Sequence, residues 1–292
     1  MNIAIFGKTF SGDRTPFLRQ LIEGLTEAGA NLIIYKPYYE LIRNYVSLPS
    51  DTICFQKHHE IVGRINCLFS IGGDGTLLDT LPIVRNSGIP VMGINMGRLG
   101  FLSSVSKQEI GLAINNIFNE KYSIDKRTLL SLVKPVSLFG DLNYALNELT
   151  VFRHDTTSLI VIQVYIDDNF VNSYWADGLI IATPTGSTAY SLSAGGPILT
   201  PASANFVITP IATHNLSVRP IVIPDNSLIK LRVVGRHTNY TLSMDSRSVL
   251  IDKTMDLEIR KESFTVNLIQ MEGKDFFGTI REKLLWGLDI RN

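Results

Sequence analysis

Through the first third of the chain, short apolar blocks alternate with amphipathic stretches. Ile3-Ala4-Ile5-Phe6 comes first, then a helical pattern from Pro16 to Ala28, then Asn31 to Tyr35, Leu68 to Ile71, a second helical pattern after Thr76, and Val91 to Ile94. Apolar blocks of this length separated by helical periodicity predict a parallel sheet with helices on its faces, an α/β, Rossmann-like domain. From about Lys126 the rhythm changes to short segments rich in Val, Ile, Tyr and Thr: Leu129 to Val133, Ser158 to Ile166, Leu179 to Thr183, Phe206 to Thr209, Leu228 to Val234 and Thr265 to Ile269. Strands at this spacing predict a β-rich, sandwich-like second domain. The tail from Asp275 to Gly287 regains charge and places Phe276, Ile280 and Leu284 on one helical stripe, which predicts that it packs back on the first domain. The expected division is therefore 1–125, 126–270 and 271–292.

Composition narrows the field of functions. A chain of 292 residues suggests two domains, and 27 basic against 27 acidic residues give zero formal charge. Without a basic excess there is no field to track a nucleic-acid backbone or an anionic membrane, so any phosphate ligand must be met by local geometry. Cys54 and Cys67 are too few for a disulfide framework and are read as reduced core thiols. The amino terminus enters a strand without a signal-peptide pattern, which points to the cytoplasm. Residues 178–218 carry no Lys, Arg, Asp or Glu, yet Pro184, Pro197, Pro201 and Pro210 break any run of the ~20 apolar residues that a spanning helix needs.

The tightest chemical constraint is Ser70-Ile71-Gly72-Gly73-Asp74-Gly75-Thr76, a carboxylate within a glycine turn directly after an apolar block. Gly-Asp-Gly is also a good plain turn. Here, however, it lies between a buried-looking strand and the helical pattern Leu77-Leu78-x-x-Leu81. Successive main-chain N–H groups in such a turn form an anion-binding concavity. Ligands of α/β sheets bind beyond the carboxyl ends of strands, where Asp74 and the glycine-rich stretch Gly93 to Gly100 both fall. Two phosphate-binding patterns are excluded. Gly7-Lys8-Thr9 lacks the earlier glycine of a Walker loop, with Asn2 in its place, and Leu78 occupies the third glycine position of a dinucleotide fingerprint.

A second constraint is the run from Asp177 to Gly196, in which an acid precedes an apolar strand and a turn rich in hydroxyls follows it. Neutral hydroxyls and amides suit a polar, uncharged ligand such as a purine or a ribose, and Tyr190 is available to cover a ring face. A Ser/Thr-capped helix after a strand is the structural alternative. Asn147-Glu148 is an amide and carboxylate pair able to hold two adjacent ribose hydroxyls. Asp245-Ser246-Arg247 reads as a hairpin turn, with Arg247 as an anion contact. His214, near Arg219-Pro220, is a further phosphate partner or a structural hydrogen-bond partner.

Taken together, Gly72 to Thr76, Gly93 to Leu102, Asn147-Glu148, Asp177 to Leu199, His214 to Val222 and Asp245 to Arg247 resemble, in order, the NAD kinases. These enzymes transfer a terminal phosphate to the 2′-hydroxyl of the adenosine ribose of NAD. The resemblance implies a two-domain kinase acting on NAD with ATP or another phosphoryl donor and assembling as a homodimer or homotetramer. It implies that Asp74 accepts the proton and that Gly75 borders the phosphates. Asn147 and Glu148 would hold NAD ribose, Asp177 the nicotinamide end, and Thr188, Ala189, Tyr190, Ser191, Leu192 and Ser193 the adenosine region, with Ser158 and Arg247 as further contacts. Trp175 departs from the pattern, standing where many bacterial members carry arginine, so an aromatic surface replaces a cation. No dense Asp/Glu cluster marks a metal cage, and Mg²⁺ is expected to arrive on the nucleotide phosphates, with no protein ligand assigned. Lipid kinases of the diacylglycerol and sphingosine type look similar around Gly72 to Thr76. They need an acyl-accommodating surface, which the hydroxyl-rich Gly186 to Ser193 turn does not suit. A dinucleotide-binding regulator without turnover is the reading from a different class, and the intact Asp74 speaks against it.

Overall fold

The computed structural model describes all residues except 98–99, 137, 155–158, 235–238, 253 and 287–292. The chain forms two compact units, Met1–Lys126 together with Val266–Asn292, and Arg127–Thr265.

In the first unit, β1 (Asn2–Gly7), β2 (Asn31–Tyr35), β3 (Ile53–Phe55), β4 (Cys67–Ile71) and β5 (Val91–Asn95) form a parallel sheet in the order β5-β4-β1-β2-β3. A short β6 (Val105–Ser106) pairs with β5. β4 and β5 are buried along their whole length, as apolar blocks covered on both faces must be. α1 (Thr15–Glu27) buries Leu18, Leu21, Ile22 and Leu25, one stripe at helical spacing, with Pro16 in its first turn, where no N–H is missed. α2 (Lys36–Ile42) follows β2 directly. The helix expected after Thr76 starts earlier and is split into α3 (Asp74–Leu78) and α4 (Leu81–Val84), because Pro82 starts a new helix more readily than it continues one. α5 (Ile110–Phe118) buries Ile110, Ala113, Ile114 and Ile117. The strand order reverses between β1 and β4, so the loops leaving these two neighbours flank a switch point.

The second unit is antiparallel throughout its six-stranded sheet. After β7 (Tyr122–Lys134) and β8 (Tyr144–Ala145) come β9 (Glu148–Arg153), β10 (Ile160–Ile166), β11 (Asn169–Ala176), β12 (Gly178–Ala182), β13 (Asn205–Ile211), β14 (Ile221–Pro224), β15 (Ile229–Val234), β16 (Asn239–Met244), β17 (Arg247–Asp252) and β18 (Leu257–Met271). The six-stranded sheet runs β14-β13-β12-β9-β16-β17. β11, β10, β15 and the start of β18 form the opposing layer. Inward residues of both layers, among them Val151, Ile181, Phe206 and Leu242 from one and Ile162, Val164, Leu231 and Ile259 from the other, make one core. β12 is buried on both faces: Ile180, Ala182 and Val207 pack on its far side against Ala194, Leu199 and Ile211. That second covering explains why Leu179 to Ala182 is uninterrupted apolar sequence.

The end of β18 belongs to the first unit, where Leu268 pairs with Val91. α7 (Phe276–Leu284) follows, its start capped by Asp275 accepting from the Gly278 N–H at 2.7 Å. Of the predicted stripe only Ile280 is buried; Leu284 remains exposed. Cys67 is a core thiol, pushed up to about 12 by burial, whereas Cys54 is exposed and corrects the expectation of two core thiols. Among the described residues no helix is long and apolar enough to cross a membrane.

Candidate functional site

Asp74 is the first residue of α3, just beyond the carboxyl end of β4. Its carboxylate closes the loop that follows β5: Oδ2 accepts from the Phe101 N–H at 2.8 Å, and Oδ1 from Leu102 and Ser103 at 3.1 and 2.9 Å. The fit is close, since a Cβ on Gly100 would lie 1.8 Å from Oδ1. Lys283 of α7 brings its ammonium to 3.8 Å from Oδ2 while sitting 4.5 Å above the Phe101 ring. The side chain is still about one-third exposed, at 29%.

The three glycines around Asp74 differ in role. Gly72 has φ 156°, and a Cβ there would strike Thr76 Oγ1 at 2.3 Å, whereas Gly73 and Gly75 adjoin open space. The outer side of the loop is therefore bare main chain, the condition under which a bulky anion can approach closely. Lys8, in the loop after β1, reaches Asp79 at the end of α3 with a 2.8 Å ion pair and adds a cation at the switch point. The second half of the Gly93 to Gly100 stretch turns on Asn95, whose side chain accepts from the Gly97 N–H at 2.7 Å; Arg98 and Leu99 lie outside the described residues.

In the second unit, two separate sequence segments converge on residues 146–148. The Asp245 carboxylate accepts from the N–H groups of Leu146, Asn147 and Glu148 at 2.9, 2.8 and 3.3 Å. Thr183 donates its hydroxyl to the Leu146 carbonyl and its N–H to the Asn147 carbonyl. Gly186 packs on the Asn147 peptide so tightly that a Cβ would meet the carbonyl oxygen at 2.0 Å. Arg247 donates to the carbonyls of Leu142 and Tyr144, so the turn expected to offer an anion contact instead grips main chain with both of its charged ends.

Burial raises the Asp245 carboxyl, while the three amides and Arg247 oppose that rise. Burial, and then the Asp245 charge, push Glu148 up to about 8. Its Oε2 is buried without a hydrogen-bond partner among the described residues. At neutral pH Glu148 therefore holds its proton.

The turn after β12 sits at the same end of the sheet, because Ala182 pairs with Glu148. Thr188 donates to the Thr185 carbonyl, Ala189 joins the 3₁₀ turn to α6 (Tyr190–Ser193), and Tyr190 is 42% exposed. Leu192 is half-buried and Ser193 exposed, whereas Ser191 is fully buried with its hydroxyl on Thr209 at 2.8 Å. Asp177 lies at the opposite end. Gly178 pairs with Phe152, four residues along β9 from Glu148, which at about 3.4 Å per residue makes about 14 Å. There Asp177 is held by Arg153 through two contacts of 3.0 and 3.3 Å. Trp175 beside it is 56% exposed, and its carbonyl accepts from the His214 N–H. Ser158 lies outside the described residues.

Lys283, Arg153, Thr183 and the main-chain grip of Asp245 were not found by sequence reasoning. Each acts across a long sequence separation and has no local pattern. Only Asp245, an acid in a predicted hairpin turn, carried a usable signal.

The family description ATP-NAD kinase N-terminal domain matches residues 51–122, and ATP-NAD kinase C-terminal domain matches 146–271. The NAD kinase of Flavobacterium psychrophilum is 46% identical over 294 residues, covering 100% of both chains, and that of Cytophaga hutchinsonii is 40% identical over 293 residues with the same coverage. Among solved structures, yeast NADH kinase complexed with NADH superposes with a TM-score of 0.87 at 27% identity, covering 100% of this chain and 89% of that one. An Archaeoglobus fulgidus NAD kinase in complex with ATP shares the fold, with a TM-score of 0.77 at 23% identity over 97% of this chain and 99% of that one. The chain belongs to the NAD kinase family and is an enzyme, a phosphotransferase.

Proposed function

We propose that the protein phosphorylates the 2′-hydroxyl of the adenosine ribose of NAD with ATP, yielding NADP, and that Asp74 is the proton acceptor. The ribose oxygen attacks the γ-phosphorus and forms the new O–P bond, the bond to the bridging oxygen breaks with its electron pair going to ADP, and the hydroxyl proton passes to Asp74. Such a transfer asks little covalent chemistry of the protein and much positioning. The observation that carries this reading is the clamp on Asp74: three N–H groups fix the carboxylate beside bare glycine main chain, leaving acceptor capacity on Oδ2.

Gly75 borders the phosphates, and the loop amides meet their charge. Asn147 and Glu148 hold ribose, and the protonated Glu148 is able to donate as well as accept. Thr188 to Ser193 receive the adenosine region, with Tyr190 supplying an exposed ring and Ser191 acting through the buried packing of the turn. Asp177, oriented by Arg153, and Trp175 meet the nicotinamide end, so the ligand extends along the sheet rather than folding on itself.

No group of three or more His, Cys, Asp or Glu among the described residues could hold a metal ion. The family resemblance supports assigning Mg²⁺ to the nucleotide phosphates, whose charge it would neutralise when bound. We also infer a cytoplasmic homodimer or homotetramer, supported by the family resemblance. Asp74→Asn, assayed for NADP formation with ATP and Mg²⁺ while NAD binding is followed by calorimetry, is expected to lose turnover and keep NAD affinity. Near-normal turnover would sink the assignment.

A further inference from the structure

The geometry points to Lys283 as a second catalytic residue, one that donates from its ammonium to the acceptor hydroxyl and to the transferring phosphoryl beside Asp74. The inference rests on the reading of Asp74 as proton acceptor. A carboxylate offers about four acceptor positions. Three are taken by the N–H groups of Phe101, Leu102 and Ser103, two of them on Oδ1. The remaining position belongs to Oδ2, the oxygen to which Lys283 Nζ is close.

The separation of 3.8 Å exceeds that of a charge-assisted hydrogen bond, about 2.7 to 2.9 Å. It leaves room for one oxygen placed to donate to Oδ2 and accept from Nζ. A hydroxyl so bridged is oriented by both groups. As its proton leaves for Asp74, the ammonium, which keeps its own protons, stabilises the negative charge developing on the oxygen and on the phosphoryl group.

The placement of Lys283 is built rather than incidental. Its helix is fixed by the Asp275 cap, by buried Ile280, and by a 2.7 Å ion pair from Lys274 to Glu109. The ammonium lies over the ring of Phe101, the residue whose N–H binds the same Oδ2. One aromatic residue thus positions both members of the pair. A bland surface ion pair would need neither the ring nor the shared oxygen.

The test uses the full chain with Lys283→Met, which keeps the stem and removes the charge, and Lys283→Arg, which restores a cation. Lys283→Met is expected to lower kcat on the order of 100-fold, with KM for NAD within about threefold and an unchanged melting temperature, and Lys283→Arg to recover much of the loss. Turnover within twofold of the parent in Lys283→Met overturns the proposal. A loss accompanied by a lower melting temperature and not rescued by arginine also overturns it, since that is the signature of a structural role. Asp74→Asn separates the two readings. If that variant is inactive and Lys283→Met is normal, only this proposal fails; if both are normal, the assignment of Asp74 fails with it.

Discussion

The carbonyl oxygen of Asn147 occupies the space that a side chain on Gly186 would need, 2.0 Å from the place of its Cβ. The peptide cannot yield, because Asp245 holds the neighbouring N–H groups and Thr183 the carbonyls. Gly186→Ala should therefore cost about 1 to 3 kcal/mol of stability, the range for overpacking a tight interior, and raise KM for NAD. Thermal unfolding together with initial rates checks this; an unchanged melting temperature would show that the two segments are not in contact.

Gly100→Ala tests the same kind of contact in the first unit. A methyl group there collides with Asp74 Oδ1 and must turn the carboxylate away from its three amides. We expect kcat to fall on the order of 100-fold, because a displacement near 1 Å at a reacting group has that effect. KM for NAD should change little, since no residue assigned to the ribose is disturbed. Equal changes in kcat and KM would argue against the placement of Asp74.

Stability should fall as pH rises across the range of Glu148. In the folded chain burial and Asp245 raise this group to about 8 from the ordinary 4.5, so between those values the folded state binds more proton than the unfolded one. The stabilising contribution is complete below about pH 4.5 and is lost as pH climbs through 8, at no more than about 1.4 kcal/mol per pH unit. Urea unfolding at three pH values across this window should show a shallower slope for Glu148→Gln. Asp245, raised in the same direction by burial, contributes to the slope in the same sense. Identical pH dependence in the two proteins would contradict the assignment.

The apolar blocks Ile3 to Phe6, Leu68 to Ile71 and Val91 to Ile94 were legible because strands covered on both faces have no polar alternation to obscure them, and each proved a strand of the parallel sheet. β11 escaped notice because its half-exposed pattern is mixed and its hairpin turn uses Asp167-Asp168 at positive φ rather than glycine. At the site, Asp74 was readable because its constraint is local, a carboxylate between glycines. What surrounds it was not. Phe101 is 27 residues away and Lys283 far beyond that, and no periodicity reports contacts made by a loop and a last helix. Arg247 shows the same limit: its charge suggested a ligand contact, and no local pattern announced that it also donates to carbonyls of its own chain.

Because the first unit is assembled from segments on both sides of the second, it is unfinished while the ribosome is still producing its closing strand and helix. The contiguous second unit is free to condense first, reversing the usual amino-to-carboxyl order of domain maturation. A nascent chain that already displays Asp74 lacks the partner strand for Val91 and the helix that carries Lys283. Completion of the surroundings of Asp74 is thereby deferred until the segment after Thr265 has been made, so products of synthesis interrupted earlier carry the acid without them.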